Sequence, residues 1–121
     1  MEEHKEVLEG YLVAALWSSV DENDEPFDDT FTIHDISQGD LVKSKEDISE
    51  FMKMASDLLD GEDMADSEIG HLFWLNRNGH GVGFWDRKFN NEGTGDKLSA
   101  ISHSFGDVYI YTGDDGKIYF Q

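Results

Sequence analysis

HLFWLNRNGHGVGFWDR, residues 71–87, is the stretch on which the reading of the fold turns. Two aromatic pairs, Phe73-Trp74 and Phe84-Trp85, flank an Asn78-Gly79 dipeptide. Asn-Gly readily supplies the two positive-φ residues of a type I′ turn, whose twist matches that of paired strands. Centred on that turn, the segment is expected to form a hairpin with Arg77 opposite His80, Leu75 opposite Val82, Phe73 opposite Phe84 and His71 opposite Asp86. One face then carries Phe73, Leu75, Val82 and Phe84, a suitable core face. The other carries Leu72, Trp74 and Trp85, with the Trp74 indole over the bare backbone of Gly83. A strand that is apolar on both faces is either covered twice or uses its second face for a partner, so Trp74 and Trp85 are candidate interface residues.

Downstream, residues 96–105 (DKLSAISHSF) predict a short helix with Leu98, Ile101 and Phe105 inward and Gly106 as its stop. Residues 107–120 predict a second hairpin around Asp115-Gly116, with Val108, Ile110 and Tyr119 on one face and Tyr109, Tyr111, Ile118 and Phe120 on the other. Upstream, residues 45–60 (KEDISEFMKMASDLLD) give the clearest helix. Ile48, Phe51, Met52, Ala55, Leu58 and Leu59 form one stripe, Ser44 is the expected N-cap, and Gly61 the stop. Residues 5–19 predict another helix, with Val7, Leu8, Tyr11, Leu12, Ala15 and Leu16 inward. Gly10 weakens that helix by about 1 kcal/mol relative to alanine and offers a place for close packing. Residues 21–30, with the chain's single proline, read as a loop anchored by Phe27, and residues 61–68 as a second acidic loop. Between them, residues 31–42 suggest an extended piece and a helical turn capped by Asp35 or Ser37. The expected fold is α+β: one domain spanning 1–121, with an antiparallel sheet of about four strands (hairpins at about 71–86 and 107–120), two amphipathic helices and one short helix.

At 121 residues the chain is long enough for one core, and fifteen aromatic side chains supply material for it. No cysteine is present, which excludes disulfides and thiolate metal sites and suits a reducing cytosol. The N-terminal MEEHKEVLEG does not have the basic-then-apolar form of a secretory signal, and no apolar run approaches the roughly 20 residues of a membrane helix.

The formal charge is −18, and it is unevenly placed. Residues 1–70 account for −17 of it and residues 71–121 for −1. A field of this size repels nucleic acid and anionic lipid, attracts basic protein surfaces, and destabilises the fold by self-repulsion.

The central run, taken as FWLNRNGHGVGFWDR with YLVAALWSS and DENDEPFDD before it and YTGDDGKIYF after it, resembles a group of small acidic proteins encoded in tailed-bacteriophage genomes. The resemblance covers residues 11–120, roughly. The group typically carries a threonine-like and an alanine-like residue where this chain has Asn76 and Val82. No activity and no catalytic residue come across with it. It implies a phage gene product acting in the cytoplasm of an infected bacterium.

The expected function follows from charge and resemblance together. Carboxylates at i, i+3 and i+4 on a helix stand about 5–6 Å apart, comparable with phosphate spacing along a nucleic-acid strand. Glu46, Asp47, Glu50, Asp57 and Asp60 on the second helix are flanked by the loops carrying Asp21, Glu22, Asp24, Glu25, Asp28, Asp29 and, beyond it, Glu62 and Asp63. Such a surface would imitate DNA and bind a basic, DNA-binding host protein, with no enzymatic activity, no cofactor and no direct contact with nucleic acid or membrane. Set against it is the plain reading of a solvated surface that keeps the protein soluble. The alternative function is a structural or assembly protein, or a homodimer, that uses the aromatic hairpin face. A small enzyme ranks below both: His71 opposite Asp86 resembles a base with its orienting carboxylate, yet no nucleophile accompanies the pair, and neither HxxxH nor HExxH occurs. The oxygen-rich loops do not fit an EF-hand, and NGHGVGFW is not a phosphate-cradling GxGxxG, so no metal site is expected.

Overall fold

The structure is a computed structural model that describes residues 4–20, 24–79 and 83–121. It is α+β and mostly helical: α1 (Lys5–Ser18), α2 (Phe27–Thr30), α3 (Gln38–Leu59), α4 (Asp66–Arg77) and α5 (Thr94–His103), then β1 (Ile110–Thr112) and β2 (Ile118–Phe120). Single 3₁₀ turns at Ile33–Asp35 and Phe84–Asp86 join the helices. The sheet has two antiparallel strands.

The first expected hairpin is therefore corrected. Residues 66–77 are helix α4, and 84–86 are a 3₁₀ turn. His71 lies on a helix and faces no strand partner at Asp86; His80 and Val82 lie outside the described residues. Ile69, Leu72, Phe73 and Asn76 recur at helical spacing. Ile69, Gly70 and every residue from Leu72 to Arg77 are buried, so the helix is sheathed on nearly all sides and the apolar pattern loses the one-sided stripe that marks a surface helix. Asp66 and Glu68 in the first turn complement the helix dipole, and Arg77 does so in the last. Asn78-Gly79 ends this helix instead of turning a hairpin. Only Gly79 takes positive φ (66°), and its N–H donates to the Asn76 carbonyl, while the Asn78 side chain donates back to the Trp74 carbonyl at 2.9 Å.

Helix α4 packs chiefly on α1, where two glycines let the backbones meet. A Cβ on Gly70 would lie 1.8 Å from the Val7 carbonyl oxygen, and one on Gly10 would lie 2.0 Å from that of Ser67. The close packing expected at Gly10 is thus present, with its counterpart on α4. Phe51 of α3 stacks on Phe73 of α4 at 4.2 Å and on Phe84 at 5.8 Å. Phe27 is buried and packs on Phe31, anchoring the acidic segment as expected, although residues 27–30 form a helical turn within the predicted loop.

Helix α3 begins seven residues earlier than expected. Ser37 is its N-cap: its hydroxyl accepts from the Asp40 N–H at 3.3 Å and donates to the Asp40 carboxylate at 2.6 Å. Ser44, the expected cap, lies inside the helix, buried, and its hydroxyl has no hydrogen-bond partner. The preceding 3₁₀ turn is capped by Thr32, with Asp35 accepting the Thr32 N–H at 2.8 Å. In the C-terminal hairpin the strand register differs by one residue from expectation. Ile110 pairs with Phe120 and Tyr111 with Tyr119, so Ile110, Ile118 and Phe120 face the core while Tyr109, Tyr111 and Tyr119 stack on the outside. The longer turn, Gly113 to Gly116 closed by Gly113 N–H to Lys117 carbonyl, sets that register. Strand β2 is tied to the start of α3, because the Asp40 carboxylate also accepts the Phe120 N–H at 3.0 Å.

Two substitutions test this packing by urea unfolding. Gly70→Ala should destabilise by about 3 kcal/mol, against the gain of about 1 kcal/mol that alanine brings to an unhindered helix. Ser44→Ala removes an unsatisfied buried hydroxyl and should stabilise by about 1 kcal/mol. A stabilising Gly70→Ala would contradict the close helix crossing.

Candidate functional site

The acidic residues divide into those that hold the fold and those that face solvent. Asp47 belongs to the first group. It projects from α3 toward Arg77 at the end of α4, whose side chain is 4% exposed, and its Oδ2 accepts from Arg77 Nη1 at 3.0 Å. Arg77 Nη1 also donates to the Tyr11 hydroxyl at 2.9 Å, Nε to the Gly106 carbonyl at 2.8 Å, and Nη2 to the Phe105 carbonyl at 2.9 Å. The guanidinium lies 5.5 Å from the Phe73 ring centre and 5.7 Å from that of Phe105. Burial pushes the Tyr11 phenol up to about 12, with Arg77 opposing and Asp47 reinforcing, so it stays neutral and accepts. Lys43 adds a second cation to Asp47 at 2.9 Å. Asp47, with its side chain 13% exposed, is therefore the counter-ion of the buried Arg77, which corrects its placement on the acidic surface.

The neighbouring Asn76 is also buried. Its Oδ1 accepts from the Phe84 N–H at 2.9 Å and from the Ser99 hydroxyl at 2.8 Å. Those two donors fix the amide orientation, so Nδ2, 3.2 Å from His103 Nε2, must donate and the histidine nitrogen must accept. A Cβ on Gly83 would lie 2.3 Å from Asn76 Oδ1, so glycine there lets the chain close over the amide. Asn78 completes the run: its Oδ1 accepts from the Val108 N–H at 2.7 Å.

The remaining expected surface residues separate by position. Glu46, Glu50 and Asp57 are exposed along α3, and Asp60, also exposed, is its C-cap. At 100° per residue the three helical acids fall within a 40° arc, roughly, and span about 16 Å of axis. Lys53 borders that arc, about 20° outside it, and lies 3.9 Å from Glu50, with both side chains largely exposed. Asp24, Glu25, Asp28 and Asp29 are exposed around the start of α2, and Asp63 is exposed before α4. Glu62 is half-buried and accepts the Asn90 N–H at 3.0 Å, holding the loop before α5. Asp21 and Glu22 lie outside the described residues.

The two tryptophans part company. Trp74 is 1% exposed, packs edge-on to Tyr11 at 5.3 Å and donates from Nε1 to the Ser18 hydroxyl at 2.8 Å. It is a core residue, which corrects its reading as an interface residue. Trp85 is 51% exposed. Another tryptophan, Trp17, is 55% exposed and lies 5.6 Å from the His71 ring. Its place in the sequence outside the Val7, Tyr11, Ala15 stripe is the signal for that exposure.

Among the described residues no group of three or more histidines and carboxylates is placed to hold a metal ion. No helix among them is long and apolar enough to cross a membrane. Comparison of the chain with protein-family models, with curated proteins and with solved structures finds no match.

His71 gives the site a measurable titration. Burial, then the nearby Arg87 charge, hold it below its ordinary value, and Glu68, which pairs with Arg87 at 2.8 Å, opposes them. The unfolded chain therefore takes up the proton first, and this group's contribution to stability is lost as pH falls from about 6.5 through the folded value. An NMR titration should show the His71 midpoint rise in Arg87→Ala and fall in Glu68→Gln. A midpoint unmoved by both would contradict the arrangement.

Proposed function

We propose that the protein is a non-enzymatic binding protein that occupies a basic, nucleic-acid-binding surface of a host protein by presenting carboxylates where phosphates would otherwise lie. The supporting observation is the exposed line of Glu46, Glu50 and Asp57 on the longest helix, continued by Asp60 at its end. Three carboxylates over about 16 Å of helix stand about 8 Å apart on average, about 6 Å between Glu46 and Glu50 and about 10 Å between Glu50 and Asp57. One strand of B-DNA offers one charge per 3.4 Å, approximately, so the line carries a little under half the charge density of one strand, and the acids of α2 and Asp60 add to it.

Three features make α3 suited to this work. Its apolar face is seated through Ile48, Phe51 and Ala55, all buried. Asp47, turned inward, locks the helix to Arg77 and leaves the outward acids without a role in holding the fold. The acids of α2 and its approach add to the same negative field. A rigid line of charge binds a basic groove with less ordering cost than a flexible acidic tail. The resemblance to phage proteins suggests the setting, a bacterial DNA-binding protein met during infection.

The test is affinity capture from bacterial lysate with the wild-type chain and with Glu46→Gln/Glu50→Gln/Asp57→Asn. The wild type should retain basic nucleic-acid-binding proteins at about 50 mM salt, release them by about 200 mM, and lose them to added duplex DNA. The triple variant should retain at least about tenfold less. Retention of acidic proteins, or retention indifferent to salt and DNA, would overturn the proposal.

A further inference from the structure

A second surface lies on different helices. Between α1 and α4 runs an open groove of about 610 Å³. The Gly10 and Ser67 backbones meet within it, so its base is a close crossing of α1 and α4. Glu6 and Glu9 line one end, and Val13 lies one turn further along α1 beside His71 of α4. Trp17, one turn beyond Val13, carries the apolar surface onward. Val13 and Trp17 are both about half exposed, although α1 buries other apolar side chains completely. The groove is thus acidic at the start of α1 and apolar toward its end. Glu68 also lines it but is engaged by Arg87, so among the described residues the unengaged carboxylates of the groove are Glu6 and Glu9.

We infer that this groove docks a short extended segment of a partner protein that bears arginine or lysine at one end and apolar side chains at the other. Charge complementarity selects the occupant: Glu6 and Glu9 take the cations, and Val13 and Trp17 take the apolar side chains. A second copy of this chain, itself at −18, is repelled. From Glu6 through the groove to Trp17 beyond its end the surface spans about 16 Å, the length of about five extended residues. The inference does not depend on the reading of α3, because the two surfaces share no residue.

The probe is the pentapeptide acetyl-Arg-Arg-Gly-Leu-Leu-amide, titrated by NMR into the full chain, with acetyl-Glu-Glu-Gly-Leu-Leu-amide as control. The expected result is saturable shifts at residues 6–17 and 67–71, including the Trp17 indole N–H, with none from the acidic control. Trp17→Ala and Glu6→Gln/Glu9→Gln, all at exposed positions, should each weaken binding about tenfold. Glu46→Gln/Glu50→Gln/Asp57→Asn should change it less than about twofold, apart from the general field. Absence of shifts in the groove at about 1 mM peptide, shifts centred on residues 46–57, or equal binding by Trp17→Ala would overturn the inference and leave the α3 proposal to its own test. Shifts at the groove that grow with protein concentration without peptide would overturn it in favour of self-association.

Discussion

Arg77 is the group the rest of the structure depends on. A guanidinium removed from water must have its charge countered and its N–H groups satisfied, or the fold loses several kcal/mol, approximately. Here Asp47 of α3, Tyr11 of α1 and the carbonyls of Phe105 and Gly106 beyond α5 do that together. Three parts of the chain far apart in sequence therefore converge on one planar cation supplied by a fourth. The flanking residues repeat the logic. Asn76 ties α4 to Phe84 and to α5, and Asn78 ties it to the entry of the hairpin. Three consecutive polar residues at the end of one helix fix the relative placement of nearly every other element.

That arrangement governs how the negative charge is used. A chain at −18 repels itself, and among the described residues the buried positive charge, Arg77, is held where the helices meet. Asp35, Asp40 and Asp47 are spent on caps and on Arg77, and Glu62 and Glu68 on loop contacts. Among the described residues the exposed acids of α3 and α2 make no comparable contact, Glu50 reaching only the exposed Lys53. Their cost in self-repulsion is thus unexplained by stability and consistent with selection for binding. The two proposed surfaces differ in kind. The α3 line acts through long-range charge and is sensitive to salt. The α1–α4 groove adds apolar side chains that require close fit.

Much of the fold was legible in the chain. The stripes Val7, Tyr11, Ala15 and Ile48, Phe51, Ala55 are regular enough to show two helices without context, and Gly106 marks the end of a third. What failed was residues 71–87. Asn78-Gly79 between aromatic pairs is a strong hairpin signal, and the same positive-φ glycine serves a helix stop equally well. The helical spacing of Ile69, Leu72, Phe73 and Asn76 was present, but burial on nearly all sides filled the gaps that reveal it. Acids at Asp66 and Glu68, read as loop, were the start of that helix. The C-terminal hairpin was visible but its register was not, since one residue of turn length inverts both faces. Of the candidate site, the exposed acids of α3 stand as a line because periodicity alone places them. Asp47 was misplaced because its role depends on an arginine thirty residues away, although its position one turn before Phe51 puts it at the border of the apolar stripe.

Asp47 holds the fold together, and the outer acids of α3 do not. Equilibrium urea unfolding of Asp47→Asn beside Glu46→Gln/Glu50→Gln/Asp57→Asn measures this directly. The account predicts a loss of about 3 kcal/mol from the single substitution, because it leaves a buried guanidinium without its counter-charge. It predicts that the triple variant unfolds within about 1 kcal/mol of wild type, or above it, as repulsion is relieved. A triple variant less stable than Asp47→Asn would contradict it.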